Sequence, residues 1–223
     1  MSVIIYIYLA VERRPEKGWL DMRVTKAQAE QNRAHIVATA ARLFRERGYD
    51  GVGVAELMAA AGFTHGGFYK HFRSKADLMA EASASGLSQT AARAEGLDPA
   101  EFVDSYVSRE HRDGRGDGCT VAALSGDAAR QQTDLKGEFA AGIENLLTAL
   151  QASSDTPGDA EQRAARTRVI NMLAQSIGAI MLSRACPDDS PLADEILDAC
   201  RKEILASLAH DNSDQPAALS PQA

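Results

Sequence analysis

The stretch VAELMAAAGFTHGGFYKHF, residues 54–72, decides the fold. Its first half, Val54 to Ala61, has the composition of a short helix, with Leu57 and Met58 as core candidates. Gly62 supplies the stop. Thr64 stands where its hydroxyl can cap a second helix of about two turns, His65 to His71. Phe68 and Phe72 fall four residues apart and so share the inner face with Leu57 and, from upstream, Phe44. Two short helices joined by a tight glycine-containing turn are the helix-turn-helix pattern, whose second helix enters the DNA major groove.

The flanks are helical too. Upstream, Ile36, Val37, Ala40, Ala41, Leu43 and Phe44 recur at helical spacing over residues 31–47, and Gly48 ends that helix. Downstream, Ser74 caps a helix that contains Lys75, Leu78 and Met79, and Asp77 at its third position makes a capping-box variant. Pro99 suits the first turn of a helix running to about His111. A glycine-rich break follows over residues 112–118, then helices over 119–131 and 134–152, and a loop from Ser153 to Gly158. Two long amphipathic helices, 160–184 and 191–209, close the chain, with Pro187 and Pro191 marking the link. Aromatic residues are 5% of the chain and alternating β-branched residues are scarce, so the fold class is all-α.

The net charge of −7 by itself argues against nucleic acid, but the charges are unevenly placed. Residues 23–80 carry nine Lys/Arg against five Asp/Glu, a balance of +4, and residues 81–223 carry twelve against twenty-three, a balance of −11. A basic N-terminal module on an acidic body is the asymmetry expected when one end meets phosphate. Three cysteines, Cys119, Cys186 and Cys200, are too few and too scattered for a disulfide framework or a zinc site, which fits a reducing cytoplasm. No apolar run reaches the length of a membrane span. The residues offer no nucleophile elbow, no phosphate-cradling glycine motif and no cation loop with EF-hand spacing, so a helical enzyme is disfavoured and neither cofactor nor metal is expected.

The ends read differently. Val3 to Val11 is apolar without a basic start, and Met22 opens a polar leader, so residues 1–24 are expected to be disordered or to follow from a misassigned start. The DNA-binding domain is then 25–80 and the helical effector-binding and dimerisation domain 81–210. The polar, proline-containing tail over 211–223 is expected to be disordered.

From about Arg33 to Glu81 the chain resembles the DNA-binding domain of the tetracycline-repressor (TetR) family. Gly62-Phe63-Thr64-His65-Gly66-Gly67-Phe68-Tyr69-Lys70-His71-Phe72, followed by Ser74-Lys75, matches that family's most recognisable stretch nearly end to end. The resemblance implies a one-component repressor that binds a near-palindromic operator as a homodimer and is released by a small-molecule effector. It implies Thr64, His65, Gly66, Gly67, Tyr69, Lys70, His71 and Lys75 as the DNA-binding set. Thr64 would cap the helix and touch a phosphate; His65 and Lys70 are exposed candidates for reading base edges. Gly66 and Gly67 would let the backbone come close to DNA, the alternative being a weak helix held by packing. Tyr69 would reach the DNA backbone or a thymine methyl, the alternative being a half-buried core tyrosine. His71 and Lys75 resemble phosphate contacts. One departure stands out: Val52 and Gly53 occupy positions where the family usually opens the second helix with Thr or Ser, which puts that phosphate contact in doubt.

By the same resemblance the helices over 160–184 and 191–209 form the dimer interface, and those over 97–152 enclose the effector pocket. Tyr106, His111 and Gln131 are polar candidates for its wall. Cys119 follows the glycine-rich break in a segment similar to a Gly-Cys-Leu-type element of electrophile- and oxidant-sensing relatives, and Arg112 and Arg115 nearby in sequence could activate its thiol. The competing reading of Cys119 is a small buried helix-cap residue. The competing reading of the whole chain is an adaptor that uses its helix-turn-helix for protein contacts.

Overall fold

The computed structural model describes residues 25–151 and 158–213. The expectations for residues 1–24, for most of the loop after Gln151 and for the end of the tail lie outside those residues. Among the described residues all regular structure is helical: α1 (Lys26–Arg47), α2 (Val54–Ala60), a 3-10 helix (His65–Lys70), α3 (Lys75–Ala94), α4 (Pro99–Tyr106), α5 (Arg109–Asp113), a short 3-10 turn (Arg115–Asp117), α6 (Thr120–Ala128), α7 (Thr133–Gln151), α8 (Asp159–Ala185) and α9 (Pro191–Ser213).

Local chemistry sets most of these boundaries. Thr25 caps α1 by accepting from the Gln28 N–H at 3.2 Å. At its other end Gly48 takes φ +74°, which a side chain rarely tolerates, and returns its N–H to the Phe44 carbonyl at 2.7 Å. Ser74 accepts from the Asp77 N–H at 3.1 Å, and the Asp77 carboxylate accepts from the Arg73 N–H at 3.1 Å, so the capping-box variant is formed. Asp98 caps α4 from just before Pro99, accepting from the Ala100 N–H at 2.8 Å.

Three sequence expectations change. The helix expected from Pro99 to His111 breaks at Val107, because Ser108 opens a new helix by accepting from the His111 N–H at 3.1 Å. The glycine-rich break is anchored: Arg112 is 1% exposed and Gly116 is buried. The last helix runs to Ser213, four residues beyond the expected end.

One apolar core runs from Ile36 to Ile204 and joins the N-terminal helices to the body. Helices α3 and α7 pack tightly together, and a Cβ placed on Gly142 would lie 2.6 Å from the Leu87 Cβ. Helix α8 packs on α9, and α1 on α3, where the Tyr49 and Ser83 hydroxyls are 2.6 Å apart. The N-terminal module is also fastened to the body by polar contacts. The Arg45 Nε donates to the Gly116 carbonyl at 2.7 Å, and the Tyr49 N–H donates to the Asp127 carboxylate at 3.2 Å.

Candidate nucleic-acid interface and effector cavity

The second helix of the motif is six residues of 3-10 helix, shorter and tighter than the expected α-helix, as two consecutive glycines of low helix propensity allow. Thr64 precedes it in extended conformation, but its hydroxyl makes no capping bond; the backbone closes the turn instead, the Gly67 N–H donating to the Thr64 carbonyl at 2.9 Å. So short a segment has little dipole to offer. Its side chains carry the interest.

Those side chains divide cleanly. Phe68 and Phe72 are buried against a core that includes Leu57, Met58 and Phe44, as their spacing predicts. Thr64, His65, Gly66, Tyr69 and Lys70 face outward. Tyr69 is 70% exposed; its ring meets buried Phe68 edge-on, with centroids 5.3 Å apart, and otherwise stands outside the core. A Cβ added at Gly66 meets no atom within 4 Å, and one at Gly67 meets only ordinary contacts, 3.6 Å from the Met58 Cε and 3.7 Å from the Thr64 Oγ1. Neither residue has positive φ. Nothing among the described residues therefore requires glycine at either position.

His71 and Lys75 are more committed to the fold than their sequence reading suggests. The His71 ring is half-buried, 6.3 Å from Phe63 and 6.2 Å from Phe72. The Lys75 ammonium donates to the Tyr49 carbonyl at 2.5 Å, which gives its charge a partner within the chain and leaves its other N–H groups to face outward contacts. Gly53 caps α2 without a side chain, as its identity requires.

Arg33 is a residue that sequence reasoning missed. Its guanidinium forks onto the Glu81 carboxylate, donates to the His71 carbonyl and lies 4.4 Å above the Phe72 ring. It thereby ties α1 to α3 and to the end of the outward-facing 3-10 helix. Its partners are 38 and 48 residues away, so no local pattern announces it.

A second site lies between the C-terminal half of α3, α4, α5 and the turn before α6. It is a cavity of about 660 Å³, within the range of small-molecule pockets. Tyr106, His111 and Cys119 all line it, with Thr90, Arg93, Leu97 and Phe102 among the others. Gln131 sits at the turn after α6 and is not part of the wall. The Phe102, Tyr106 and His111 rings form a continuous series, with centroids 5.0 and 4.3 Å apart.

His111 is held as the neutral tautomer. Its Nε2 accepts from the Cys119 N–H at 3.1 Å, and its Nδ1 faces the Tyr106 carbonyl at 2.7 Å, where it donates. Burial lowers its pKa, and the charges of Arg184 and Arg93 add to that effect. Burial also raises the Tyr106 phenol well above its ordinary range.

Cys119 is 4% exposed and opens α6 without a side-chain capping bond. The two arginines near it in sequence are placed elsewhere. Arg112 turns away to the α8–α9 turn, where Nε donates to the Ser183 hydroxyl at 2.9 Å and Nη1 to Asp188 at 3.0 Å, while Arg115 is exposed. Arg184 clamps α5, donating to the carbonyls of Arg112 at 2.9 Å and His111 at 2.6 Å.

No helix among the described residues is long and apolar enough to cross a membrane. Residues 36–82 match the family model described as bacterial regulatory proteins, tetR family. The HTH-type transcriptional regulator AcrR of Shigella flexneri is 42% identical over 59 residues, which are 26% of this chain and 27% of that protein. The HTH-type transcriptional regulator TtgR of Pseudomonas putida is 40% identical over 58 residues, 26% of this chain and 28% of that protein. The match thus spans about a quarter of the length of these curated relatives. Solved structures extend the likeness of fold along the chain. The reduced form of E. coli NemR superposes with a TM-score of 0.59 at 20% identity, covering 78% of this chain and 95% of that one. A TetR-family regulator from Agrobacterium tumefaciens gives 0.62 at 20% identity, covering 80% and 98%. Residues 36–82 are thus similar to the DNA-binding segment of the tetR family of bacterial regulatory proteins, and the helical fold beyond them is similar to that of the solved TetR-family structures.

Proposed function

We propose that this chain is a one-component transcriptional repressor of the cytoplasm that binds a near-palindromic DNA operator as a homodimer and is released by a small molecule. The observation that carries the proposal is the outward face of the 3-10 helix. An exposed tyrosine, two glycines that nothing among the described residues needs, and Thr64, His65 and Lys70 stand together on a buried Phe68–Phe72 base. Beyond the edge-on contacts of Tyr69 with Phe68 and His65 these side chains face outward, and their chemistry suits phosphate and base edges. His71 and Lys75 border that face as further phosphate contacts. The curated relatives support the direction of control, since one of them is the HTH-type transcriptional repressor BepR of Brucella suis.

Dimerisation is assigned to α8 and α9. Residues 169–183 of α8 contain no charged side chain. Met172, Leu173, Ala179 and Ile180 face the core, while Ile170, Met181 and Leu182 on α8 and Leu192 on α9 are exposed. A helix apolar on both sides calls for a second partner, and a twofold pairing would present two recognition segments to one DNA face. Effector release is assigned to the cavity lined by Tyr106, His111 and Cys119. The loop from Gly114 to Cys119 contributes to its wall and, through Gly116, accepts from Arg45 of α1, so pocket and DNA-binding module share a connection. An electrophile or oxidant entering the cavity would meet the Cys119 thiol.

The test is a titration of the chain against a duplex from its own upstream region by fluorescence anisotropy at two salt concentrations, with Tyr69→Ala alongside. Tight, salt-weakened binding at two subunits per site, lost in Tyr69→Ala, is the expected result. No specific binding to that duplex or to any genomic fragment in a selection would leave the protein-contact adaptor as the reading. For the thiol, Cys119→Ser should lose release by a reactive inducer; normal release would remove Cys119 from the mechanism.

A further inference from the structure

The cavity at α4 and α5 holds an unfinished hydrogen-bonding site. Tyr106 is 6% exposed, and no atom of the described residues completes a well-formed hydrogen bond to its hydroxyl; the Cys119 thiol is its weak polar neighbour. A buried hydroxyl is normally paired, because losing water without a replacement is costly. The other hydroxyls of the wall are already spent on backbone carbonyls: Thr90 on Gly86 at 2.9 Å, Ser105 on Phe102 at 3.0 Å and Ser108 on Ser105 at 2.8 Å. Both His111 nitrogens are engaged as well, which keeps that ring uncharged. The Tyr106 O–H therefore awaits an acceptor from outside the chain.

Two further features define what would bring it. The inner wall presents the aromatic series Phe102, Tyr106 and His111, with centroids 5.0 and 4.3 Å apart. The exposed rim carries three carboxylates, Asp104, Glu110 and Asp117, against Arg93, whose guanidinium is tied to the Asp117 carbonyl at 2.6 Å, while the charge of Arg184, held on the His111 carbonyl at 2.6 Å, reaches the wall from behind. Aromatic faces and surplus carboxylates both favour a weakly hydrated positive charge. We infer that the cavity binds an organic cation: an aromatic or lipophilic body whose quaternary or protonated amine meets the acidic rim and whose carbonyl-type acceptor takes the Tyr106 hydroxyl.

As an account of the effector this rests on the regulatory reading above, but the binding is measurable without DNA. Full-length protein would be titrated by calorimetry and ligand-observed NMR with 4-acetyl-N,N,N-trimethylanilinium. Its neutral isostere 4′-tert-butylacetophenone, the anion 4-acetylbenzoate and the acceptor-free 4-ethyl-N,N,N-trimethylanilinium serve as comparisons. The cation with the acetyl group should bind at least about tenfold more tightly than the neutral isostere and the anion, a factor that corresponds to about 1.4 kcal/mol. Tyr106→Phe, which keeps the ring, should erase the preference for acetyl over ethyl. The pair Asp104→Asn and Glu110→Gln should erase the preference for the cation. Equal or tighter binding of the neutral or anionic probe, an unchanged acetyl preference in Tyr106→Phe, or no binding of the cation at millimolar concentration would each overturn the inference. Cation binding that leaves operator affinity unchanged would instead preserve the site and remove its role as the effector pocket.

Discussion

Gly66→Ala separates what the fold needs from what DNA needs. The added Cβ meets nothing within 4 Å, and Gly66 lacks positive φ, so alanine is sterically free there. Replacing glycine by alanine in a helix should stabilise the chain by about 0.5–1 kcal/mol. For a chain of this size that raises Tm by roughly 1–4 °C, at about 2–4 °C per kcal/mol. Against DNA the same methyl stands on the outward face with Thr64, Tyr69 and Lys70, where the proposed function brings the backbone close to phosphate. Forcing a methyl into a tight contact costs about 1–3 kcal/mol. Operator affinity should therefore fall by roughly 5- to 150-fold. The assay pairs thermal unfolding with operator anisotropy at one fixed salt concentration. Gly137→Ala, on the exposed side of α7 with an equally open Cβ position, is the control; it should gain stability and leave DNA binding alone. If Gly66→Ala gained stability and bound the operator as well as the unmodified chain, close approach at this glycine would be refuted.

Gly142→Ala should do the reverse of Gly137→Ala on the same helix. Its Cβ would lie 2.6 Å from the Leu87 Cβ, an atom no rotamer can move, so overpacking of about 1–3 kcal/mol outweighs the propensity gain of about 1 kcal/mol and Tm falls by a few degrees; a rise equal to that of Gly137→Ala would mean that α3 and α7 do not pack as closely as described. His111 makes stability depend on pH, because its folded pKa lies below the ordinary 6.5 and its neutral form is the one that accepts the Cys119 N–H. Its contribution is complete above 6.5 and declines as the pH falls through the lower folded value. Thermal melts from pH 7.5 to 5.5 should show a smaller loss for His111→Gln than for the unmodified chain, and identical slopes would contradict the assignment.

Much of the fold was legible in the residues because helix ends are local. Ser74 and Asp77, Gly48, and Pro99 after Asp98 act within one turn of themselves, so a short window of sequence contains the whole interaction. The division of the motif into buried Phe68 and Phe72 and outward Tyr69 and Lys70 follows from helical spacing, and the structure retains it although the segment is 3-10. The break at Val107 was missed because a continuous helix and a capped restart at Ser108 compete locally. The restart is reinforced by distant groups: Arg184 holds the carbonyls of His111 and Arg112 from α8.

The sequence by itself determined the helical class, the helix-turn-helix and which residues of its second helix face outward, since each depends on spacings of a few residues and on the identity of single caps and glycines. Tertiary structure alone decided the rest. Arg33 reaches Glu81 across 48 residues, Lys75 reaches the Tyr49 carbonyl across 26, and Arg112 is buried among groups more than 70 residues away. Tyr106, His111 and Cys119 were each visible as candidates, but only the packing of α3 through α6 makes them one wall and leaves Gln131 outside it. Such pairings depend on two distant residues at once, and neither residue carries a local signature of the other.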